Sequence, residues 1–369
     1  MASIDYHQPF LLPSNRVWRT YLGGRLLDGI EGKGRPADSH FPEDWVGSAT
    51  RAVNPGREHL ADEGVGRAVA CDGQTFSMAD LYTQCPREAL GPAHVEAFGP
   101  QPQLLVKLLD SAIRLHVQAH PSVAWARRHL GSDSGKTEAW WILGSREADP
   151  YVLLGFQRPP SPAAWRRMVA EQDIETMLAC FDRVPVRVGD VLLIEGGVPH
   201  AIGPGLFMVE IQEPTDYVVR CEYAHGGVEL PESARTMGLG LDRVLDMFDY
   251  SAYPAATVKE RFGPRRRIVA QSDSGRETAL LESPQTDRVD VRHVHVNGRT
   301  GLHLDGRFSV LIVLEGRGTL AADGATIDVQ PWSRVLLPAV LETVTLSGTF
   351  EAARCLPPKP HDTKAEKDV

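Results

Sequence analysis

The sequence predicts a mainly β chain interrupted by a helical insertion. Three observations carry this. Glycine (34) and proline (27) are both plentiful among the 369 residues, as many short strands joined by tight turns require. Short apolar runs recur between those turns. One stretch, Ser161 to Phe181, breaks the pattern with apolar side chains at the spacing of an amphipathic helix.

In order along the chain, residues 1 to 60 read as irregular, with extended pieces at Arg16 to Tyr21 and Trp45 to Ala52. Gly23-Gly24 and Gly29 to Pro36 read as loops. Ser77 to Cys85 is expected as a short helix capped by Ser77 and closed by Pro86. Leu104 to Leu109 and Tyr151 to Phe156 are apolar runs of buried-strand type. Between them, Leu115 to Ala119 reads as a strand ending on His120-Pro121. Alternation puts His116, Gln118 and His120 on one face and Leu115, Val117 and Ala119 on the other. Ser122 to Leu130 has helical composition, with Gly131 as its stop. Lys136-Thr137-Glu138 then delivers a carboxylate to the apolar run Ala139 to Leu143.

Ser161-Pro162 opens the helical insertion with a cap and a first-turn proline. Its Trp165, Met168 and Val169 stripe is expected to be helix core. Strands return at Val186 to Val188, Val191 to Ile194, Leu206 to Ile211 and Tyr217 to Cys221. Residues 232 to 262 turn helical again. Gly263-Pro264 with Arg265 to Arg267 reads as a linker, and short strands run from Ile268 to Leu356. The polar tail is expected to be disordered.

Composition excludes several classes. The net charge of −9, with no basic stripe, argues against nucleic acid. No apolar run reaches the length of a membrane span, and the N-terminus shows no secretory pattern. Five scattered cysteines without a CxxC pair point to reduced thiols and a cytoplasmic location, and against a thiolate zinc site. No Gly-x-Ser-x-Gly motif appears, and Gly316-x-Gly318 precedes no helix, so it is a turn and not a phosphate loop.

Gln118, His120, Glu138 and His200 are the candidate metal ligands. His200 follows a Gly189-Asp190 turn, an apolar strand and a Gly196-Gly197 bend. Two imidazoles, one carboxylate and one amide oxygen suit Zn²⁺ with room left for a substrate. His293 and His295 share a strand face but have no metal motif downstream, and are expected to be an exposed structural pair.

These motifs resemble the two motifs of the cupin β-barrel, with glutamine in the first ligand place. Gln-x-His-Pro, Lys-x-Glu, Gly-x-x-His-Ala-Ile-Gly and Glu-Ile-Gln followed by Asp-x-x-x-Arg narrow the resemblance to the type I phosphomannose isomerases. Supporting stretches are Val17-Trp18-Arg19 with Gly23-Gly24, Trp45 with Gly47-Ser48, and Leu104 to Asp110. The similarity runs from about residue 16 to Pro358.

The resemblance implies two cupin-type β-barrel (jelly-roll) domains plus a small helical domain. Residues 1–160 and 184–231 would form the catalytic cupin, 161–183 and 232–262 the helical domain, 263–358 a metal-free cupin and 359–369 a disordered tail. It implies one Zn²⁺ per chain and interconversion of mannose 6-phosphate and fructose 6-phosphate through a cis-enediol, in a monomer or homodimer. Arg220 matches the family's active-site arginine, expected to stabilise the enediolate. Lys136 matches a lysine of the family site and is expected to serve as acid/base if neighbouring cations lower its pKa. Asp216, four before Arg220 on an expected strand, would accept or relay a proton. His116 stands where the family usually carries a small hydroxyl residue near the phosphate, and Glu195 where a proline is common. Three rivals follow: an isomerase of a related sugar or sugar phosphate, an Fe²⁺ cupin dioxygenase, and a non-enzymatic sugar-binding cupin.

Overall fold

The computed structural model describes residues 4–360. The last nine positions of the expected tail, 361–369, lie outside the described residues. The fold is mainly β. A six-stranded antiparallel sheet runs in the order Val191–Ile194, Glu138–Ser145, Leu206–Gln212, Leu105–Asp110, Glu43–Val46, Arg16–Val17. A five-stranded sheet, Val184–Pro185, Tyr151–Leu154, His200–Ile202, Gln118–Ala119, Val219–Arg220, packs against its inner face. Trp140, Ile142, Leu192 and Met208 from the first sheet meet Val152, Leu154 and Ile202 from the second in one core. Among the described residues both sheets are open paths, so this unit is a sandwich and not the closed barrel expected.

Alternation along the central strands explains how the sandwich acquires a polar end. In Leu105–Asp110 every residue is buried. Val106 and Leu108 face outward into a core shared with the C-terminal sheet, beside Ala139, Trp141, Val209 and Ile211. The opposite parity faces inward: Lys107, Glu138, Glu210 and Gln212, all buried. A strand buried on both faces reads as a continuous apolar run, so a charged residue within it is conspicuous.

A third sheet holds the C-terminal strands Arg267–Ser272, Gly275–Leu281, Asp290–His303, Thr343–Leu356, Ser309–Ala322 and Arg334–Leu337. Three N-terminal strands extend it. Phe10–Leu11 pairs with Arg334–Leu337 through Phe10 opposite Leu336, and Arg67–Val69 and Thr75–Ser77 continue beyond it. Residues assigned by sequence to the first β unit are thus hydrogen-bonded into the second.

The helical insertion forms where expected. Ser161 accepts from the Ala164 N–H at 3.2 Å and Pro162 opens Pro162–Glu171. Trp165, Val169 and Met177 bury against Val117, Ala119, Ala201 and Val219, so the insertion roofs the outer face of the five-stranded sheet. The strand expected over 115–119 contracts to Gln118–Ala119. Pro86, expected to close a helix, also starts the next one, Pro86–Leu90.

Candidate metal centre and active site

The site lies at the polar end of the sandwich. His120, Glu138 and His200 offer ligand atoms all within 4.8 Å of one another, every one buried. They come from three places: the loop after Gln118–Ala119, the start of Glu138–Ser145 and the start of His200–Ile202. Register does the rest. His200 lies opposite Gln118 across the five-stranded sheet, and the Gln118 amide reaches to 3.3 Å from His200 Nε2. All four sequence-predicted ligands therefore converge.

Both imidazoles are oriented from behind. His120 Nδ1 lies 2.8 Å from the Tyr217 carbonyl, and His200 Nδ1 2.9 Å from that of Val198. A carbonyl only accepts, so Nδ1 carries the proton in each ring and Nε2 presents its lone pair to the cluster. His120 Nε2 is 3.3 Å from Glu138 Oε2, and His200 Nε2 is 3.5 Å from Oε1. Burial and the Lys136 ammonium push His120 down to about 3. Burial also lowers His200. Both are neutral at physiological pH, the form that binds a metal. Burial disfavours the Glu138 carboxylate, but Lys136, His120 and His200 outweigh it and hold the acid well below its ordinary range. Trp140 Nε1 donates to Glu138 Oε1 at 3.0 Å, while Oε2 accepts no aligned hydrogen bond. Lys136 Nζ contacts that Oε2 and His120 Nε2, each at 2.9 Å. The lysine thus neutralises the same donor atoms that a divalent ion takes. Two neutral imidazoles, a carboxylate and an amide, with a buried oxygen poorly satisfied, fit Zn²⁺.

Around this centre runs a wall of buried charge. Arg220 projects from Val219–Arg220, opposite Gln118. It donates to the Ala234 carbonyl at 2.9 Å and has no carboxylate at ion-pair distance among the described residues. Burial, then repulsion by Arg19, pushes it down to about 10, still a cation at neutral pH. Lys107 and Glu210, which the sequence reading left unassigned, line the same cavity, joined at 2.6 Å. Burial raises the Glu210 acid. Glu43 ties Lys107 (3.5 Å) to Arg19 (3.4 Å).

Asp216 departs from its expected role. It lies in the loop before Val219–Arg220, not on a strand, and both its oxygens are taken. Arg19 holds them in a bidentate pair at 2.8 and 2.9 Å, and the Val53 N–H adds a third bond at 2.8 Å. Burial opposes its charge, yet Arg19 overcomes this and lowers the acid far below its usual range. A carboxylate so satisfied is a poor proton acceptor; Asp216 positions Arg19. His116 lines the cavity but stays outside the ligand cluster. Its Nδ1–H donates to the Glu222 carbonyl at 2.9 Å and its Nε2 lies 3.4 Å from the Thr20 hydroxyl. Burial, with Arg220 and His225, pushes it down to about 3, so it is neutral.

The enclosed space is about 30 Å³, enough for an ion or one water. Admitting a larger molecule requires the long side chains and the Glu232–Arg235 turn over Arg220 to move. A larger cavity lies elsewhere, in the C-terminal sheet.

Fold and site together define a mainly β protein with a metal-competent centre set among buried cations. Residues 282–357 match the family profile described as "Mannose-6-phosphate isomerase, cupin domain". The chain is 25% identical over 275 residues to the mannose-6-phosphate isomerase of Streptococcus mutans, covering 73% of this chain and 80% of the relative. Its fold matches the crystal structure of the Bacillus subtilis mannose 6-phosphate isomerase with a TM-score of 0.72 at 20% identity, over 94% of this chain and 99% of that one. It also matches a mannose 6-phosphate isomerase solved with zinc and yttrium, with a TM-score of 0.69 at 15% identity, over 95% and 100% of the two chains. Over most of its length the chain is thus similar to mannose-6-phosphate isomerases, and the cupin-domain profile of that family matches its C-terminal part. Among the described residues no helix is long and apolar enough to cross a membrane.

Proposed function

We propose that the chain interconverts mannose 6-phosphate and fructose 6-phosphate through a cis-enediol, in the cytoplasm, with one zinc ion on Gln118, His120, Glu138 and His200. One observation carries this: four side chains from three separate stretches of the chain meet at one point, with both histidines fixed so that Nε2 faces it. The relatives' names supply the reaction, and one structural neighbour was solved with zinc. The architecture that goes with this reading is two cupin-type units and a helical insertion.

The reaction moves the proton on C2 of the open-chain aldose to C1, while the O2 hydroxyl proton passes to O1. Negative charge grows on oxygen between the two transfers. When bound, zinc supplies Lewis-acid stabilisation of that charge. Arg220, buried without an acidic partner, offers a second fixed cation whose field is little screened. Lys136 is the mobile proton carrier: a metal held by Glu138 would compete for the carboxylate that Lys136 now contacts at 2.9 Å and would free its ammonium. Burial raises the acid of Glu210 on the same wall. Lys107 holds Glu210 and keeps the wall neutral.

An isomerase of a related sugar or sugar phosphate is the second reading, favoured by His116. A neutral imidazole there accepts a sugar hydroxyl but adds no charge for phosphate. Isomerase turnover with and without chelator, on wild type and His120→Ala, tests the main reading. Metal and activity are expected to disappear together in the variant, and zinc is expected to restore chelated wild type. Full turnover by the metal-free variant refutes it. Turnover of free mannose but not its 6-phosphate selects the second reading, and oxygen consumption would point to a dioxygenase.

A further inference from the structure

A cleft of about 370 Å³ opens at the seam between the two β units and shares no lining residue with the centre above. Trp141 of the first unit forms one wall. The other is the outer face of the C-terminal sheet, where His293, Glu351 and Glu315 stand.

Strand pairing gives the His293 and His295 pair partners that no local pattern announces. Both histidines project from the same face of Asp290–His303, two positions apart. The next strand, Thr343–Leu356, puts Glu351 opposite His295 and Ala353 opposite His293. Alanine fills little of its place, and Glu351 reaches both rings. His293 Nε2 lies 2.9 Å from Glu351 Oε2, and His295 Nδ1 lies 3.2 Å from Oε1. The strand beyond, Ser309–Ala322, puts Glu315 opposite Glu351. Like charges directly opposite repel, and Glu315 makes no ion pair among the described residues. Two imidazoles and two carboxylates therefore share one face of three adjacent strands. Arg276, the cation of this row, lies on the far side, opposite His295.

A carboxylate only accepts, so each ring turns an N–H towards Glu351. A divalent ion takes the place of those two protons and binds the same three side chains. Imidazole nitrogen with carboxylate oxygen is a donor set for Zn²⁺, whereas Mg²⁺ takes oxygen ligands. The two rings sit on different oxygens of the carboxylate, so closing on one ion requires Glu351 to turn. The side chains of His293, Glu351 and His295 are 23, 33 and 42% exposed, which leaves them open to solvent and able to make that turn. The backbone beneath is fixed, because the two strands that carry them pair along their whole length. The Trp141 ring meets His293 edge-on, centroids 5.5 Å apart.

We propose that His293, His295 and Glu351, with Glu315 beside them, form a second zinc site at the seam between the β units, separate from the His120–Glu138–His200 centre. The ion neutralises the facing carboxylates and fixes the ring that packs on Trp141, so its binding stabilises the folded chain.

Equilibrium dialysis of the full chain against Zn²⁺ alone, followed by metal analysis, tests this. Wild type is expected to hold two ions and His120→Ala one. His293→Ala combined with His295→Ala is expected to hold one ion and to keep wild-type turnover. Glu351→Gln keeps the shape of the side chain without its charge, and is expected to bind the second ion about tenfold more weakly or worse. Zinc is expected to raise the melting temperature of His120→Ala, and to leave it unchanged once both seam histidines are also removed. Magnesium in excess is expected to displace neither ion. A single ion in wild type, a second ion that persists in the paired histidine variant, or full second-site affinity in Glu351→Gln overturns the proposal. If His120→Ala keeps both ions while the paired variant loses one, the seam site stands and the first centre is refuted, so the two readings fail separately.

Discussion

At the scale of single residues, Asp216 and Arg220 show how two buried charges four positions apart take different work. Arg220 has no carboxylate at ion-pair distance among the described residues, and its one hydrogen bond to a neutral carbonyl leaves its charge available to what enters the cavity. Asp216 is spent on Arg19, a pairing across 197 positions of sequence. Removing one partner of such a pair strands the other in a dry site, which costs about 3–5 kcal/mol. Arg19→Met is therefore expected to lower unfolding free energy by that amount in urea denaturation. Arg19→Met with Asp216→Asn is expected to recover part of it, because the stranded charge is gone. A single variant as stable as wild type defeats the positioning role. The candidate ligands stood out in sequence because each sits in a local pattern: Gln-x-His-Pro, Lys-x-Glu, Gly-x-x-His. Arg19, Lys107 and Glu210 were not assigned, because each is a lone charge in an extended run and its partners come from other strands.

At the scale of elements, the Gly196-Gly197 bend sets the spacing between the two histidines. Gly197 has φ +92°, and its N–H donates to the His120 carbonyl at 2.7 Å, one bond from the other arm of the metal centre. A Cβ there would lie 2.6 Å from the Met247 carbonyl oxygen. Gly189, with φ +87°, has nothing within 4 Å of its would-be Cβ. The pair separates backbone strain from crowding. Gly189→Ala is expected to cost about 1 kcal/mol and keep full zinc content. Gly197→Ala is expected to cost about 2–3 kcal/mol and also to lower zinc retention, since relief of the clash moves His120 or His200. Thermal denaturation with metal analysis after dialysis reads both; equal zinc content in the two variants defeats the link. The helical insertion was legible because Ser161 and Pro162 announce it locally. The length of the Gln118–Ala119 strand was not, since its ladder depends on where His200–Ile202 and Val219–Arg220 happen to end.

At the scale of the whole molecule, the two β units are joined by more than their shared apolar core. The chain starts in the C-terminal sheet, through Phe10–Leu11, before building the first sandwich, a pairing across more than three hundred residues that leaves no local signal. The short helices of residues 86–98 dock on the same sheet. Ala339 and Val340 donate their N–H groups to the Ala89 and Glu88 carbonyls, each at 3.0 Å. Gly91 passes so close that a Cβ would lie 2.1 Å from the Gly306 oxygen. His94 sits in this junction, buried, with its ring centroid 4.9 Å from that of Phe98 and 5.9 Å from that of Phe308. Its Nε2 lies 2.7 Å from the Gln101 carbonyl and its Nδ1 has no partner. Burial pushes it from 6.5 down to about 4. The unfolded chain therefore binds a proton between those values that the folded chain refuses. The sign follows: stability is whole above pH 6.5 and is lost as pH falls through that value towards 4, at up to about 1.4 kcal/mol per pH unit. His94→Gln keeps a donor for the Gln101 carbonyl and removes the titration. Urea denaturation at pH steps across the window is expected to show a slope shallower by about that amount in the variant, whatever its absolute stability. An unchanged slope means that the proton enters elsewhere and that the junction between the two β units is indifferent to acid.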